Sequence, residues 1–408
     1  MIARWLRRAG LALSAVATTI GLIWFWNLRD PHLLLVRDYE PLLLCALLAL
    51  GFITAACAAR QFSRNTLQIV CVLLATLTLV DSLQFHRLQR RLLSSPSPAE
   101  IALNKRLIVG FDDYAVVRQL ARSGIAGVFL SSRNVVGKSR AEIKAQVAAL
   151  QRIRRDVGRP PLIVATDQEG GLVSRLSPPL PSMPALSSVL SATNPAQEAR
   201  EYGREQGAAL ASLGVTVNFS PVVDLKPNAK PGTLDFNTRI EERAISDDPD
   251  MVLQIARPYI RGLQEAGVTA VLKHFPGLRR VAADTHHFAA HLPTPAATLE
   301  NSDWRPFETL PAQTDAWIML AHVVLDAVDA DRPVSTSSKV IDSILRQRLG
   351  FDGTLVTDDL TMGATYNRGF CQSVRDAMDA QVDYLLIAYD YDKYYSVIAC
   401  LTSGRSGT

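Results

Sequence analysis

Hydrophobic positions along this 408-residue chain follow two patterns that meet near residue 93. Before that point lie three long apolar runs, near residues 9–26, 41–59 and 67–83. Each is about as long as the roughly 17–25 residues a helix needs to cross a bilayer. They predict a transmembrane region over residues 1–92. The first run follows Arg4, Arg7 and Arg8 and so also has the form of a cleaved signal peptide. Two further runs of similar length favour three retained spans instead.

After a Pro/Ser linker over residues 93–100 the pattern shortens. Apolar, β-rich runs occur at Leu107–Phe111, Ile125–Leu130, Leu162–Thr166, Val215–Phe219, Ala270–Lys273, Trp317–Ala321, Thr354–Thr357 and Tyr384–Ala388. Amphipathic stretches such as Ser139–Val157, Ala196–Leu213 and Pro249–Ala266 lie between them. Strands alternating with helices in this way predict an α/β fold, a (β/α)8 TIM-type barrel over residues 101–408. A doubly wound open sheet shares the alternation, but no Gly-rich phosphate loop follows any of these strands. Only Tyr391–Leu401 follows the eighth strand, so a short last helix is expected.

Charge divides at the same boundary. The net charge is +4, yet residues 1–99 hold ten Arg, no Lys and four acidic residues. The remainder is slightly acidic, which removes the case for a nucleic-acid partner. Arg4, Arg7 and Arg8 favour a cytoplasmic start under the positive-inside tendency. Three spans would then make this a multi-pass inner-membrane protein, with a lipid bilayer as partner and the barrel in the periplasm. Arg87, Arg90 and Arg91 pull the other way, so a cytoplasmic barrel stays open. Of five cysteines, Cys45, Cys57 and Cys71 lie in the apolar runs. Cys371 and Cys400 could form one disulfide, and no spacing resembles a zinc site.

Polar residues gather where the predicted strands end, which is where barrel enzymes carry their catalytic groups. Lys273-His274-Phe275-Pro276-Gly277 follows the apolar run Val268–Leu272, and Asp284-Thr285-His286 comes soon after. Asp167-Gln168-Glu169-Gly170-Gly171 ends the third strand, with Arg175 beyond it. Asn218 through Asp224 ends the fourth strand, His322 follows the sixth, and Asp358-Asp359 the seventh. Carboxylates, imidazoles and cations without a metal cage point to acid/base chemistry on a polar, neutral substrate, with no metal and no cofactor.

These motifs, in this order, resemble glycoside hydrolase family 3. Within it they resemble the single-domain β-N-acetylhexosaminidases that trim peptidoglycan fragments. The similarity spans roughly residues 101–402 and includes Asn218–Asp224, Arg243–Pro249 and Val356–Met362 besides the segments above. It implies a retaining exo-hydrolase acting on N-acetylglucosamine-containing oligosaccharides or muropeptides. Asp358 falls on the nucleophile, His286 on the acid/base and Asp284 on the residue that orients it. Asp167, Arg175, Arg243, Lys273 and His274 fall on the residues that hold the terminal sugar. From the residues alone, Asp358 or Asp359 could instead cap a helix, and any of the five sugar-holding residues could be a buried ion-pair member. Asn218 and Asp224 are expected to support the strand end, and His287 and His291 to be solvated or structural. Leu172, Leu278, Arg279 and Arg280 depart from the family pattern. They motivate one alternative, a degenerate, membrane-anchored saccharide-binding protein. A β-glucosidase of the same family is the other, with Asp284 and His286 arguing against it.

Overall fold

In the computed structural model of the chain, residues 61–227, 238–366 and 368–403 are described, with isolated positions before residue 61. The chain divides into two compact units, Met1–Ser94 and Ser95–Thr408.

Among the described residues the second unit forms a closed barrel of eight parallel strands, each paired with its neighbours in sequence. They are β1 (Leu107–Gly110), β2 (Gly127–Leu130), β3 (Ile163–Thr166), β4 (Val217–Asn218), β5 (Thr269–Phe275), β6 (Trp317–Leu320), β7 (Leu355–Asp359) and β8 (Tyr384–Ile387). The ladder closes where Leu107, Ile108 and Val109 of β1 pair with Leu385, Leu386 and Ile387 of β8. The expected (β/α)8 barrel is therefore present.

The interior follows from the two-residue period of a strand, which sends alternate side chains to opposite faces. Ile108, Phe129, Ala165, Val217, Val271, Met319, Val356 and Leu386, one from each strand, fill the barrel together with Phe219 and Ala388. Phe129 and Phe219 stack with ring centroids 5.8 Å apart. This layer closes the barrel below its C-terminal mouth.

The helices begin and end on the signals their sequences carry. Ser139 and Glu142 form a capping box at the start of helix Arg140–Asp156, and Asp113 caps helix Tyr114–Ser123, which ends at Gly124 in the left-handed region. The last helix is short, Lys393–Ser403. Cys371 and Cys400 form a disulfide that ties this helix to helix Phe370–Asp379.

The membrane expectation fares differently. Among the described residues no helix is long and apolar enough to cross a membrane. The expected span near 67–83 falls inside helix Gln61–Ser94, where Gln68, Thr76, Thr78 and Asp81 interrupt the aliphatic positions. The expected spans near 9–26 and 41–59 lie outside the described residues.

The Cys371–Cys400 bridge spans 29 residues of sequence. Chain-entropy arguments for a loop of that size give about 3–4 kcal/mol of stabilisation. Reduction, or Cys400→Ser, should lower the urea midpoint of the barrel accordingly. Alkylation of the unfolded, unreduced chain should leave both thiols unlabelled.

Candidate active site

A cavity of about 720 Å³, open to solvent, lies at the C-terminal mouth of the barrel. Phe129, Phe219, Met319 and Leu386 form its apolar floor. Asp167, Arg175, Arg243, Lys273, His274, His286 and Asp358 stand around it. Seven of the eight residues expected from sequence thus line one space. The eighth, Asp284, lies fully buried behind His286.

One wall is a cluster of paired charges. The chain leaves β3 at Asp167 and turns through a small antiparallel hairpin, Gln168–Gly170 with Val173–Ser174. Gly170 has φ +93°, and a Cβ there would lie 2.0 Å from the Tyr202 hydroxyl, so only glycine fits. Lys273, at the end of β5, places Nζ 2.5 Å from Asp167 Oδ1 and 2.6 Å from Glu169 Oε1. Arg243 forks onto Glu169 through Nε (3.0 Å) and Nη2 (2.7 Å). Burial alone would raise the pKa of Glu169. Arg243 and Lys273 outweigh that effect and hold the carboxyl well below its ordinary range. Burial likewise disfavours the Arg243 cation, and Glu169 more than restores it. Glu169 belongs to this cluster although sequence reasoning singles out only Asp167 in the Asp167-Gln168-Glu169-Gly170-Gly171 segment.

A second buried carboxylate sets His274. Asp224 accepts hydrogen bonds from the His274 backbone N–H (3.0 Å) and the Leu278 N–H (2.8 Å), and its Oδ2 lies 2.7 Å from His274 Nδ1. The other ring nitrogen, Nε2, lies 3.5 Å from Arg243 Nη2. Asp224 therefore supports the strand end, as expected. Asn218 does the same: its Oδ1 accepts the Gln168 N–H, and its Nδ2 donates to the Gln168 carbonyl. Arg175 completes the rim with its guanidinium 5.7 Å from the centroid of Tyr389.

Facing this wall is the segment with Asp284 and His286. Asp284 Oδ1 lies 2.7 Å from His286 Nδ1 and accepts the His286 N–H (2.9 Å) and the Thr238 hydroxyl (3.2 Å). The imidazole is thereby fixed by one nitrogen, while its side chain stays 41% exposed at the cavity. Thr238 also joins the two walls, since its carbonyl accepts from Arg243 Nη1 at 2.8 Å.

The neighbours Asp358 and Asp359, open alternatives in sequence, have different surroundings. Asp359 is buried and accepts from the N–H groups of Ala388 (3.0 Å), Tyr389 (3.3 Å) and Thr361 (3.0 Å) and from the Thr361 hydroxyl (2.8 Å). Burial pushes its pKa up to about 6 against those donors. Every lone pair is committed to the fold. Asp358 accepts one backbone N–H, that of Asp359 at 2.8 Å, and lines the cavity. Burial would raise its pKa too, but His274, His322 and His286 outweigh it, so the carboxyl is held below its ordinary value. His322 is itself shifted down by burial, and it donates from Nε2 to the Asp359 carbonyl (2.9 Å) with Ser335 Oγ 2.7 Å from Nδ1. It braces the strand end that carries Asp358.

Of the departures from the family pattern, only Leu278 reaches the cavity. Arg279 donates to the Asp247 carbonyl at 3.1 Å, and Arg280 pairs with Asp303 at 3.2 Å. Leu172 is 49% exposed outside the cavity. His291 pairs with Asp326 at 2.8 Å on the surface, and His287 does not line the cavity. Among the described residues no group of three or more His, Cys, Asp or Glu is arranged to hold a metal ion.

Removing one partner from a buried ion cluster leaves uncompensated charge and costs about 3–5 kcal/mol. Glu169→Gln should lower unfolding stability by that order in urea titrations and raise KM, because Arg243 loses its carboxylate partner and Lys273 keeps only Asp167. The sign of the pH effect follows from the depressed folded pKa of Glu169. Its contribution is complete above the ordinary value of 4.5 and is lost as pH falls below it. The Gln variant should lack that part of the acid destabilisation.

Comparison with known proteins places the chain in a family. The model of the glycosyl hydrolase family 3 N-terminal domain matches residues 106–406. A beta-hexosaminidase of Xylella fastidiosa is 38% identical over 297 residues, covering 71% of this chain and 83% of that protein. A beta-hexosaminidase of Xanthomonas campestris pv. campestris is 35% identical over 277 residues, covering 66% and 79%. The solved family 3 beta-N-acetylglucosaminidase from Paenibacillus sp. superposes with a TM-score of 0.66 at 30% identity. That likeness covers 76% of this chain and 59% of the Paenibacillus chain. With the family model matched across the whole barrel and its polar strand ends gathered in one cavity, the chain belongs to glycoside hydrolase family 3 and is a glycoside hydrolase.

Proposed function

We propose that the protein is a retaining exo-β-N-acetylhexosaminidase that removes terminal N-acetylglucosamine from peptidoglycan fragments or chito-oligosaccharides. The observation that carries this reading is the shared cavity of Asp358 and the Asp284-oriented His286. The names of the relatives support the sugar class. The apolar floor supports exo action, because a sugar chain can enter only by its end. Asp167, Lys273 and Arg243, the two cations held by Glu169 behind them, present an acceptor and donors of the kind that ring hydroxyls satisfy.

In the first half-reaction an Asp358 carboxylate oxygen forms a bond to the anomeric carbon as the glycosidic C–O bond breaks. The proton on His286 Nε2 passes to the departing oxygen, whose electron pair it takes up. In the second, His286 takes a proton from water, the water oxygen bonds to the anomeric carbon, and Asp358 leaves as a carboxylate. Two displacements retain configuration. The depressed pKa of Asp358 keeps the nucleophile ionised, and Asp284 engages His286 through Nδ1, which leaves Nε2 for the leaving oxygen. Of the four departures that motivate a degenerate binding protein, three lie away from the cavity, which weakens that reading.

We also infer that the barrel lies in an extracytoplasmic compartment. The Cys371–Cys400 disulfide supports an oxidising compartment. Alkaline phosphatase fused after Thr408 should then be active in cells, and a fluorescent protein that matures only in the cytoplasm should stay dark.

For the chemistry, Asp358→Ala in the full-length chain should lower turnover of an aryl N-acetylglucosaminide by about 10⁴-fold or more. A 5-fluoro-N-acetylglucosaminyl fluoride, which keeps the C2 acetamido group, should label Asp358 covalently in peptide mass spectra. Undiminished turnover in the variant, or a label on another residue, would refute the nucleophile assignment.

A further inference from the structure

His286 sits on a stretch without regular structure between Gly277 and the short strand Ala290–His291. A proton donor on such a stretch must be held by contacts from elsewhere. Thr238 supplies one contact, through the Asp284 carboxylate. Another comes from the turn that follows the nucleophile strand. The Gly363 N–H donates to the His286 carbonyl at 2.8 Å, and the Ala364 N–H to the Thr285 carbonyl at 3.4 Å.

That turn is firmly joined to Asp358. Thr361 donates twice to the Asp359 carboxylate, and the Met362 N–H donates to the Asp359 carbonyl at 3.0 Å. The Thr365 hydroxyl reaches the carbonyls of Leu360 (2.8 Å) and Met362 (2.7 Å). A short bonded path therefore runs from the nucleophile through Gly363 to the backbone of the acid/base residue.

Position 363 is also sterically closed. A Cβ on Gly363 would lie 2.7 Å from the His287 carbonyl oxygen and 2.9 Å from that of His286. Both are backbone atoms of the His286 segment, so no side-chain rotation can relieve the contact. Gly363 is not among the residues with positive φ, so its own backbone accepts any L residue. Only the closeness of the His286 segment excludes a side chain.

We propose that Gly363 is the positioning residue that sets the distance between His286 and Asp358. Its N–H seats the His286 carbonyl, and its missing side chain lets that segment approach the nucleophile turn. The proposal rests on the roles given above to Asp358 and His286.

The test compares His286→Ala and Gly363→Ala in the full-length chain, using N-acetylglucosaminides of 2,4-dinitrophenol and of 4-methoxyphenol. The first leaving group needs no proton and the second does. His286→Ala should lose about 10²-fold or more in kcat/KM on the methoxyphenyl substrate and far less on the dinitrophenyl one. Gly363→Ala should follow the same pattern, because a 1 Å misplacement of a catalytic group costs on the order of 10²-fold. Azide needs no general base. With the dinitrophenyl substrate it should speed both variants, forming glycosyl azide as the anomeric C–N bond replaces the bond to Asp358, which leaves as a carboxylate.

If His286→Ala shows no leaving-group dependence, the acid/base reading fails. If His286→Ala shows it while Gly363→Ala behaves like wild type, or slows both substrates equally without an azide response, the Gly363 proposal is overturned. Hydrogen exchange on the unmodified chain decides the matter should the glycine variant not fold. Gly363 opens the short helix Gly363–Tyr366, where an N–H has no intrahelical partner. Protection of that amide supports the seat on His286, and exchange at the unprotected rate refutes it.

Discussion

The mouth of the barrel is organised by charges that cannot be buried alone. Lys273 reaches Asp167 and Glu169 together, and Arg243 forks onto Glu169. An unpaired ion at that depth would cost several kcal/mol, so each of the four fixes the others. They come from the end of β3, the end of β5 and the helical turn Ile240–Arg243, and the cluster locks these three elements into one surface. The bonds continue past it. Arg243 donates to the Thr238 carbonyl, the Thr238 hydroxyl to Asp284, and Asp284 fixes His286. One connected set of polar contacts therefore links the groups suited to holding a sugar with the group suited to moving a proton.

Asp358 and Asp359 illustrate how adjacent carboxylates separate into different tasks. Four donors converge on Asp359, two from Ala388 and Tyr389 just past β8 and two from Thr361 in the turn after β7, which makes it a clamp between strand ends. Its raised pKa reflects burial, and its hydrogen bonds hold the turn in place. Asp358 faces the cavity and the imidazoles, and their influence keeps it ionised. Divergent environments for like groups are what acid/base and nucleophilic chemistry require of a single fold. Here the difference is set by which side of β7 each residue faces.

The barrel was legible because each strand announces itself locally, as a short apolar run ending in polar residues. The boundaries shifted where the ladder itself changes. The run Val215–Phe219 yields only Val217–Asn218 as regular strand, and the contact with β5 resumes as an isolated bridge between Val222 and Lys273. The run Ala270–Lys273 extends to Phe275, so His274 and Phe275 are strand residues as well. Candidate site residues were legible for the same reason, since each sits in a contiguous motif at a strand end. Glu169, Thr238 and Gly363 were not. Glu169 lies 74 residues from Arg243, and Gly363 has meaning only beside carbonyls some 76 residues earlier. Nor could the sequence say that Leu278 lines the cavity while Arg279 and Arg280 find partners outside it.

The division between strand and loop has a physical rationale in the proposed reaction. Attack at the anomeric carbon tolerates little error in distance, and Asp358 stands on a strand whose end is braced by Asp359 and His322. The leaving oxygen carries whatever aglycone the substrate brings, so the proton donor must stand where the cavity opens. A strand end facing the apolar floor could not place it there. His286, 41% exposed and fixed through one nitrogen, meets that requirement, but its segment has no ladder of its own. Its position has to be borrowed from better-ordered neighbours. Thr238 ties it to the charge cluster and Gly363 to the nucleophile turn, so the acid/base group is referenced to both fixed walls of the cavity. Leu278, at the root of the same segment, adds an apolar side chain to the cavity lining. In the proposed reaction the aglycone would therefore meet the least regular part of the site, and the sugar ring the part braced by paired charges.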